Sequence, residues 1–185
     1  MLHKPTVLVP LAQGCEELEA VTLIDLLRRA GIEVVVAGLE SGPVVASRGV
    51  VILPDTTLDA ALQRDYAMVV LPGGGPGAER LAQDPRILNL LQQMAAQNHY
   101  TAAICAAPKV LLAAGLLQGK RATAYPGTLE ASPDTGVQLS TAAVVEDGRV
   151  ITSRGPGTAM DFALILIERL VGLAQRQQVE AGLVR

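Results

Sequence analysis

Ala102-Ala103-Ile104-Cys105-Ala106-Ala107-Pro108 decides the fold. A short apolar run, Ala102–Ile104, ends at a cysteine, and a helical pattern, Ala106–Ala114, follows at once. That is a strand running into a helix through a tight turn, with Cys105 on the turn. The same alternation recurs in both directions. Thr6–Val9, Ile32–Ala37, Met68–Leu71 and Ala142–Val145 read as further strands, and Glu16–Ala30, Pro85–Gln97 and Thr158–Val171 as helices. The strands are apolar almost throughout, as strands covered on both faces are. Strand–helix alternation predicts a parallel sheet between two helical layers. Two hairpins interrupt it, around Val44–Leu53 and at Val144–Thr152, the second turning at Glu146-Asp147-Gly148-Arg149. The expected fold is α/β, a three-layer α/β/α sandwich of flavodoxin-like type, with residues 1–185 forming a single domain.

Length and composition agree with this and exclude several function classes. The chain has 185 residues, half of them hydrophobic and 18% charged, the opposite of a disordered balance. Lys and Arg number 15 against 18 Asp and Glu, so no basic excess exists to neutralise phosphates, and stable nucleic-acid binding is not expected. Three Tyr, one Phe and no Trp are too few for base-stacking platforms. Two cysteines make no disulfide framework. The apolar start at Thr6–Val9 is soon broken by Pro10 and Glu16-Glu17, unlike a secretory signal. The longest apolar stretch, Ala102–Leu117, is interrupted by Pro108 and Lys109 and makes a poor membrane span. A cytoplasmic protein without a membrane partner is expected.

In sheets of this kind the ligand sits at the carboxyl ends of the strands. Four post-strand segments therefore matter: Ala12–Glu19, Leu71–Gly77, Ile104–Pro108 and Ser153–Thr158. Cys105 stands on a strand-to-helix turn like a nucleophile elbow, where helix N–H groups favour a thiolate. A buried structural cysteine is as good a reading of that position alone. Glu19 changes the balance. With Leu23, Leu26, Leu27 and Ala30 marking the sheet-facing stripe of the first helix, Glu19 projects between Leu26 and Ala30, inside the stripe. A carboxylate aimed into a core must be protonated or paired, which makes Glu19 a functional candidate. Glu16, in the first turn, is expected to lean outward and Glu17 to be solvated.

Gly73-Gly74-Gly75-Pro76-Gly77-Ala78 fits G-x-G-x-x-A, but it follows a middle strand, and the next strand ends in Cys105 rather than in an acid that could hold a ribose. A glycine turn with free N–H groups suits an oxyanion site instead. Gly119-Lys120 lacks the phosphate-loop spacing. His3 and His99 have no partners at ligand spacing and read as surface residues, so no metal or other cofactor is expected. Cys15 reads as a half-buried small residue.

Taken together, Gly14–Ala20, Asp25–Ile32, Leu71–Gly74, Ala102–Pro108 and Thr152–Thr158 resemble the ThiJ/PfpI superfamily, specifically its YajL-like branch, over nearly the whole chain. The resemblance implies a class-I glutamine amidotransferase-like fold and a homodimer. It implies a reactive Cys105 hydrogen-bonded by a protonated Glu19, with Gly73, Gly74 and the Ala106 N–H as the oxyanion site. It also implies an anion-friendly region lined by Arg48 and Arg154, with Arg29 reaching in from a second subunit. Tyr125 stands where some relatives carry a histidine, which counts against a mechanism that needs an imidazole. Ala106 stands where protease-like members have theirs, which counts against a peptidase. The implied activity is that of a cysteine-dependent protein or nucleotide deglycase, or glutathione-independent glyoxalase, acting on small α-oxoaldehydes such as methylglyoxal and glyoxal and on their adducts. An oxidative-stress sensor or redox-regulated chaperone using oxidation of Cys105 is the other reading.

Overall fold

The computed structural model describes residues 4–130 and 136–185. Among them the strands are β1 (Thr6–Leu11), β2 (Glu33–Gly38), β3 (Val44–Val45), β4 (Val51–Ile52), β5 (Thr56–Thr57), β6 (Met68–Leu71), β7 (Tyr100–Ile104), β8 (Arg121–Ala122), β9 (Gln138–Leu139), β10 (Val144–Asp147) and β11 (Val150–Ser153). The helices are α1 (Glu17–Arg29), α2 (Leu58–Ala61), α3 (Gly75–Gln83), α4 (Pro85–Ala96), α5 (Pro108–Ala113), α6 (Ala159–Val171) and α7 (Leu173–Gly182).

Seven strands form the central sheet in the order β10-β11-β7-β6-β1-β2-β5. Every pairing in it is parallel except the β10–β11 hairpin. Alternate residues of each strand serve opposite layers. Val7, Val9, Val34 and Ile104 pack with Leu23, Leu27 and Phe162 of α1 and α6. Leu8, Val35, Val69 and Ala103 pack with Leu81, Leu91 and Val110 of α3, α4 and α5. Both sets are buried, so the strands read as continuous apolar runs rather than as an alternation. Each fully buried Leu or Phe stabilises the fold by about 2 kcal/mol. The three-layer α/β/α sandwich expected from the sequence is the fold of this chain.

The differences lie at the connections. The late hairpin turns on Gly148-Arg149 alone, since Asp147 is already paired with Val150. Gly148 has φ +64°, which glycine tolerates best. The second helix on the cysteine side starts at Pro108, two residues later than the periodicity places it, because Cys105–Ala107 form the turn. Helix α3 was hidden behind Gly75-Pro76-Gly77. A proline in the first helical turn forfeits no hydrogen bond, so the run opens a helix instead of preventing one.

No helix among the described residues is long and apolar enough to cross a membrane. His3 lies outside the described residues. His99 is half-buried rather than on the surface, with Nδ1 enclosed and without a hydrogen-bond partner among the described residues.

Candidate active site

The turn after β7 holds Cys105 in an unusual backbone conformation. Its φ is +64°, a left-handed value that a residue with a Cβ adopts at a cost of order 1 kcal/mol. Two hydrogen bonds fix it there: the Cys105 N–H donates to Ser153 O at 3.0 Å, and the Tyr125 N–H donates to Cys105 O at 2.8 Å. The β11 end and the Tyr125 loop thus set the direction of the thiol. The elbow expected from the sequence is present, and Cys105 is 8% exposed.

Glu19, in the first turn and a half of α1, is fully buried, as its place within the apolar stripe requires. Its Oε2 accepts from the Gly73 N–H at 2.8 Å. Its Oε1 is enclosed with no hydrogen-bond partner among the described residues. Gly73 packs against both Glu19 and Cys105. A Cβ on Gly73 would lie 2.6 Å from both Cys105 Cβ and Glu19 Oε2, so only a glycine lets carboxyl and thiol approach. Gly74 (φ +88°) is equally constrained, because a Cβ there would lie 2.4 Å from Gly14 O and 2.6 Å from Glu16 N. The glycine run is therefore a packing device that closes the β6 turn onto the loop after β1.

The two side chains control each other's protons. Burial raises the Glu19 carboxyl to about 7, against the Gly73 N–H and the Cys105 side chain, which lower it. Burial also pushes the Cys105 thiol up to about 12, helped by the charge and hydrogen bond of Glu19. The N–H groups of Gly74 and Ala106 pull the thiol the other way. These N–H groups favour the thiolate in the expected direction, but burial and Glu19 outweigh them. Two of the influences that raise the thiol vanish when Glu19 holds a proton, because the carboxylate charge is then gone. A protonated Glu19 also has a hydrogen to give at a carboxyl oxygen. Ionised, it leaves Oε1 a bare acceptor in the core.

The Gly73 N–H is committed to Glu19 and is not available to an oxyanion, contrary to the expectation for that residue. Gly74 and Ala106 retain donors facing the sulfur.

Above the thiol opens a cavity of about 650 Å³, walled by Glu16, Arg48, Gly74, Ala106, Lys109 and Tyr125 among others. Arg48 is positioned by its own loop. The Arg48 N–H donates to Glu17 Oε1 at 2.8 Å, and Ser47 Oγ lies 2.8 Å from Glu16 Oε2 and 2.9 Å from Glu17 Oε2. Glu17 is therefore not solvated, as the helix pattern suggested, but buried against that loop. Burial works to raise its carboxyl, yet the backbone N–H groups and Ser47 outweigh it and hold Glu17 below the ordinary carboxylate range. Glu16 is likewise held by Ser47 instead of leaning free.

The remaining candidates are dispersed. Arg154 is not in the cavity wall; it lies near Glu130, whose carboxyl its charge helps to lower. Arg29 pairs with Asp25 at 2.7 Å on the exposed side of α1 and does not reach the cavity of its own chain. Cys15 is completely buried, not half-buried, and burial foremost raises its thiol to about 11. Tyr125 does border the cavity and is about half exposed. Lys109 was missed. Its only signal was a charge on the residue after Pro108, where the rest of the segment is apolar. Among the described residues no group of His, Cys, Asp and Glu could hold a metal ion.

Comparison with known proteins places this geometry. Residues 5–169 match the DJ-1/PfpI family. The chain is 45% identical over 180 residues to the Danio rerio protein named Parkinson disease protein 7 homolog, covering 96% of this chain and 95% of that one. It is 37% identical over 160 residues to the Caenorhabditis elegans protein named glutathione-independent glyoxalase DJR-1.2, covering 86% and 85%. The crystal structure of Drosophila melanogaster DJ-1beta superposes with a TM-score of 0.95 at 42% identity, covering 98% of each chain.

Proposed function

This chain belongs to the DJ-1/PfpI family, and we propose that it is a cysteine-dependent, glutathione-independent glyoxalase and deglycase acting on α-oxoaldehydes and their early adducts. The observation that carries this reading is the buried Glu19 carboxyl, raised to about 7, set beside the Cys105 thiol at the floor of an open cavity. A glyoxalase-named relative supports the substrate class.

The chemistry balances with these groups and one water. Transfer of the thiol proton to the Glu19 carboxylate gives the reactive pair, a thiolate beside a carboxylic acid, as the minor form of the site, because the thiol at about 12 is the weaker acid and Glu19 at about 7 the stronger. The sulfur bonds to the aldehyde carbon of methylglyoxal, and the carbonyl electron pair moves onto oxygen. The Gly74 and Ala106 N–H groups stabilise that oxyanion, and Glu19 protonates it to a hemithioacetal. Glu19, now a carboxylate, takes the hydrogen of the former aldehyde carbon as a proton and returns it to the neighbouring carbon, while the hydroxyl proton passes from the first carbon's oxygen to the second's through the enediol, leaving a thioester carbonyl and a hydroxyl. The first carbon is thereby oxidised and the second reduced, with no outside oxidant. Water hydrolyses the resulting thioester, releasing lactate and the thiol. In an adduct the amine, thiol or nucleotide leaves as the same carbon is processed. A group titrating near 7 suits both directions of transfer at neutral pH. The test is lactate formation from methylglyoxal by the purified protein with no glutathione present. Turnover supports the reading, and no lactate above the uncatalysed background overturns it. The oxidation-sensor reading uses the same sulfur and adds no residue of its own.

The functional unit we propose is a homodimer in a cytoplasmic setting. Leu18 and Val21 on α1, with Val50, Val51 and Leu53 of the β3–β4 hairpin, are about half exposed or more. Val21 and Leu53 share one groove with Ile24 and Ile52, edged by Asp25, Arg28 and Asp55. A patch of this kind calls for a self-complementary partner, and Arg29 lies on the same helix. Sedimentation at micromolar concentration should give twice the chain mass; a monomer there would refute the assignment.

A further inference from the structure

The wall of the Cys105 cavity carries two cationic side chains, Arg48 and Lys109, against one carboxylate, Glu16. Glu16 has an oxygen 2.8 Å from the Ser47 hydroxyl, so its charge is partly turned to that loop. Lys109 is the second residue of α5, four positions beyond the cysteine. Its Nζ lies 3.1 Å from Glu79 Oε2 on α3, and its side chain remains about one-third exposed. Glu79 is half exposed, stands outside the cavity wall and also accepts from Gln83 Nε2 at 2.8 Å. The lysine thus lines the cavity wall, while the acid that holds its ammonium lies outside that wall, is half exposed and is shared with an amide.

We infer that Lys109 is a specificity-determining residue: with Arg48 it selects carbonyl compounds that carry a negatively charged group, while Cys105 meets the carbonyl carbon. The inference rests on the proposed role of Cys105 and extends it to the charge of the substrate. Opposite charges converging on a partly enclosed site interact more strongly than in bulk water. Exposed pairs such as Lys109–Glu79 contribute little to stability, so an incoming anion displaces Glu79 at small cost. A lysine that only tied α3 to α5 would hold the two helices together without distinguishing the charge of anything reaching the sulfur.

Alkylation of Cys105 by iodoacetate and by iodoacetamide reads that distinction without requiring turnover. In each case the thiolate displaces iodide, and the reagents differ chiefly in charge. Peptide mass spectrometry reports Cys105 separately from Cys15. The iodoacetate-to-iodoacetamide rate ratio should fall about three- to tenfold in Lys109→Gln at low salt. It should persist in Lys109→Arg and rise in Glu79→Gln, which removes the competing carboxylate. An unchanged ratio in Lys109→Gln, or no rise in Glu79→Gln, overturns the inference. Methylglyoxal turnover with a flat ratio would refute the charge preference alone. The expected ratios without any turnover would refute the glyoxalase reading and uphold this one. A Cys105 that neither reagent alkylates would refute both.

Discussion

Cys105→Ala should lower kcat/KM for methylglyoxal by about a thousandfold or more, roughly 4 kcal/mol of lost transition-state stabilisation, while the protein stays folded. The sulfur forms the only bond between enzyme and substrate in the proposed route, and no other described side chain in the niche can replace it. The fold should tolerate the change. Alanine keeps the Cβ, so the strain at φ +64° is the same in both proteins. The Ser153 and Tyr125 hydrogen bonds that hold residue 105 are made by its backbone and survive. Cys105 is 8% exposed at the base of an open cavity, so the packing penalty for losing its sulfur is about 1 kcal/mol. Lactate production and a thermal melt check both halves. An active Cys105→Ala protein would end the covalent mechanism.

Glu19→Gln should lower kcat by about 10²- to 10⁴-fold, because an amide preserves shape and can accept from the Gly73 N–H but can neither take nor return a proton. The same variant has a stability signature of definite sign. Glu19 is raised from 4.5 to about 7 in the folded protein, so the folded state binds more protons than the unfolded chain between those values. Its contribution is fully present below pH 4.5 and is lost as pH rises through about 7, a change on the order of 3 kcal/mol. Subtracting the Glu19→Gln unfolding curve from that of the parent should isolate this decline. The carboxylates held low by their partners, such as Glu17 and Asp84, lose stability in the opposite direction, on acidification, and are common to both proteins. A difference curve flat between pH 4.5 and 7 would mean that Glu19 ionises like a solvated acid.

Much of this was legible before any coordinates. The order of layers followed from strands such as Met68–Leu71, whose four apolar residues are all buried because both faces of the sheet are covered. Glu19 announced itself because a charge in the Leu23–Leu27 stripe has no solvated explanation. What escaped was decided by long-range geometry. Glu17 looked solvated from helix periodicity alone, yet the Ser47-Arg48 loop folds over it and supplies the donors that burial demands. Gly73 looked like an oxyanion donor, and only its contact with Glu19, across a separation of 54 residues, removes it from that role. The thiol looked lowered by a helix start, but burial and the neighbouring carboxylate act more strongly than the Gly74 and Ala106 N–H groups. Helix α3 was masked because Gly-Pro-Gly carries turn statistics, while its first turn needs no N–H from Pro76.

The pH dependence of Cys105 alkylation by iodoacetamide, in the parent and in Glu19→Gln, tests most directly whether thiol and carboxyl share one proton. The parent should gain reactivity in a step near pH 7, hold a plateau, and rise again only towards about 12. Glu19→Gln should show one step, with a midpoint below that of the parent's final rise, since burial still raises the thiol but the charge and hydrogen bond of Glu19 no longer do. A single step with the same midpoint in both proteins would contradict the coupling.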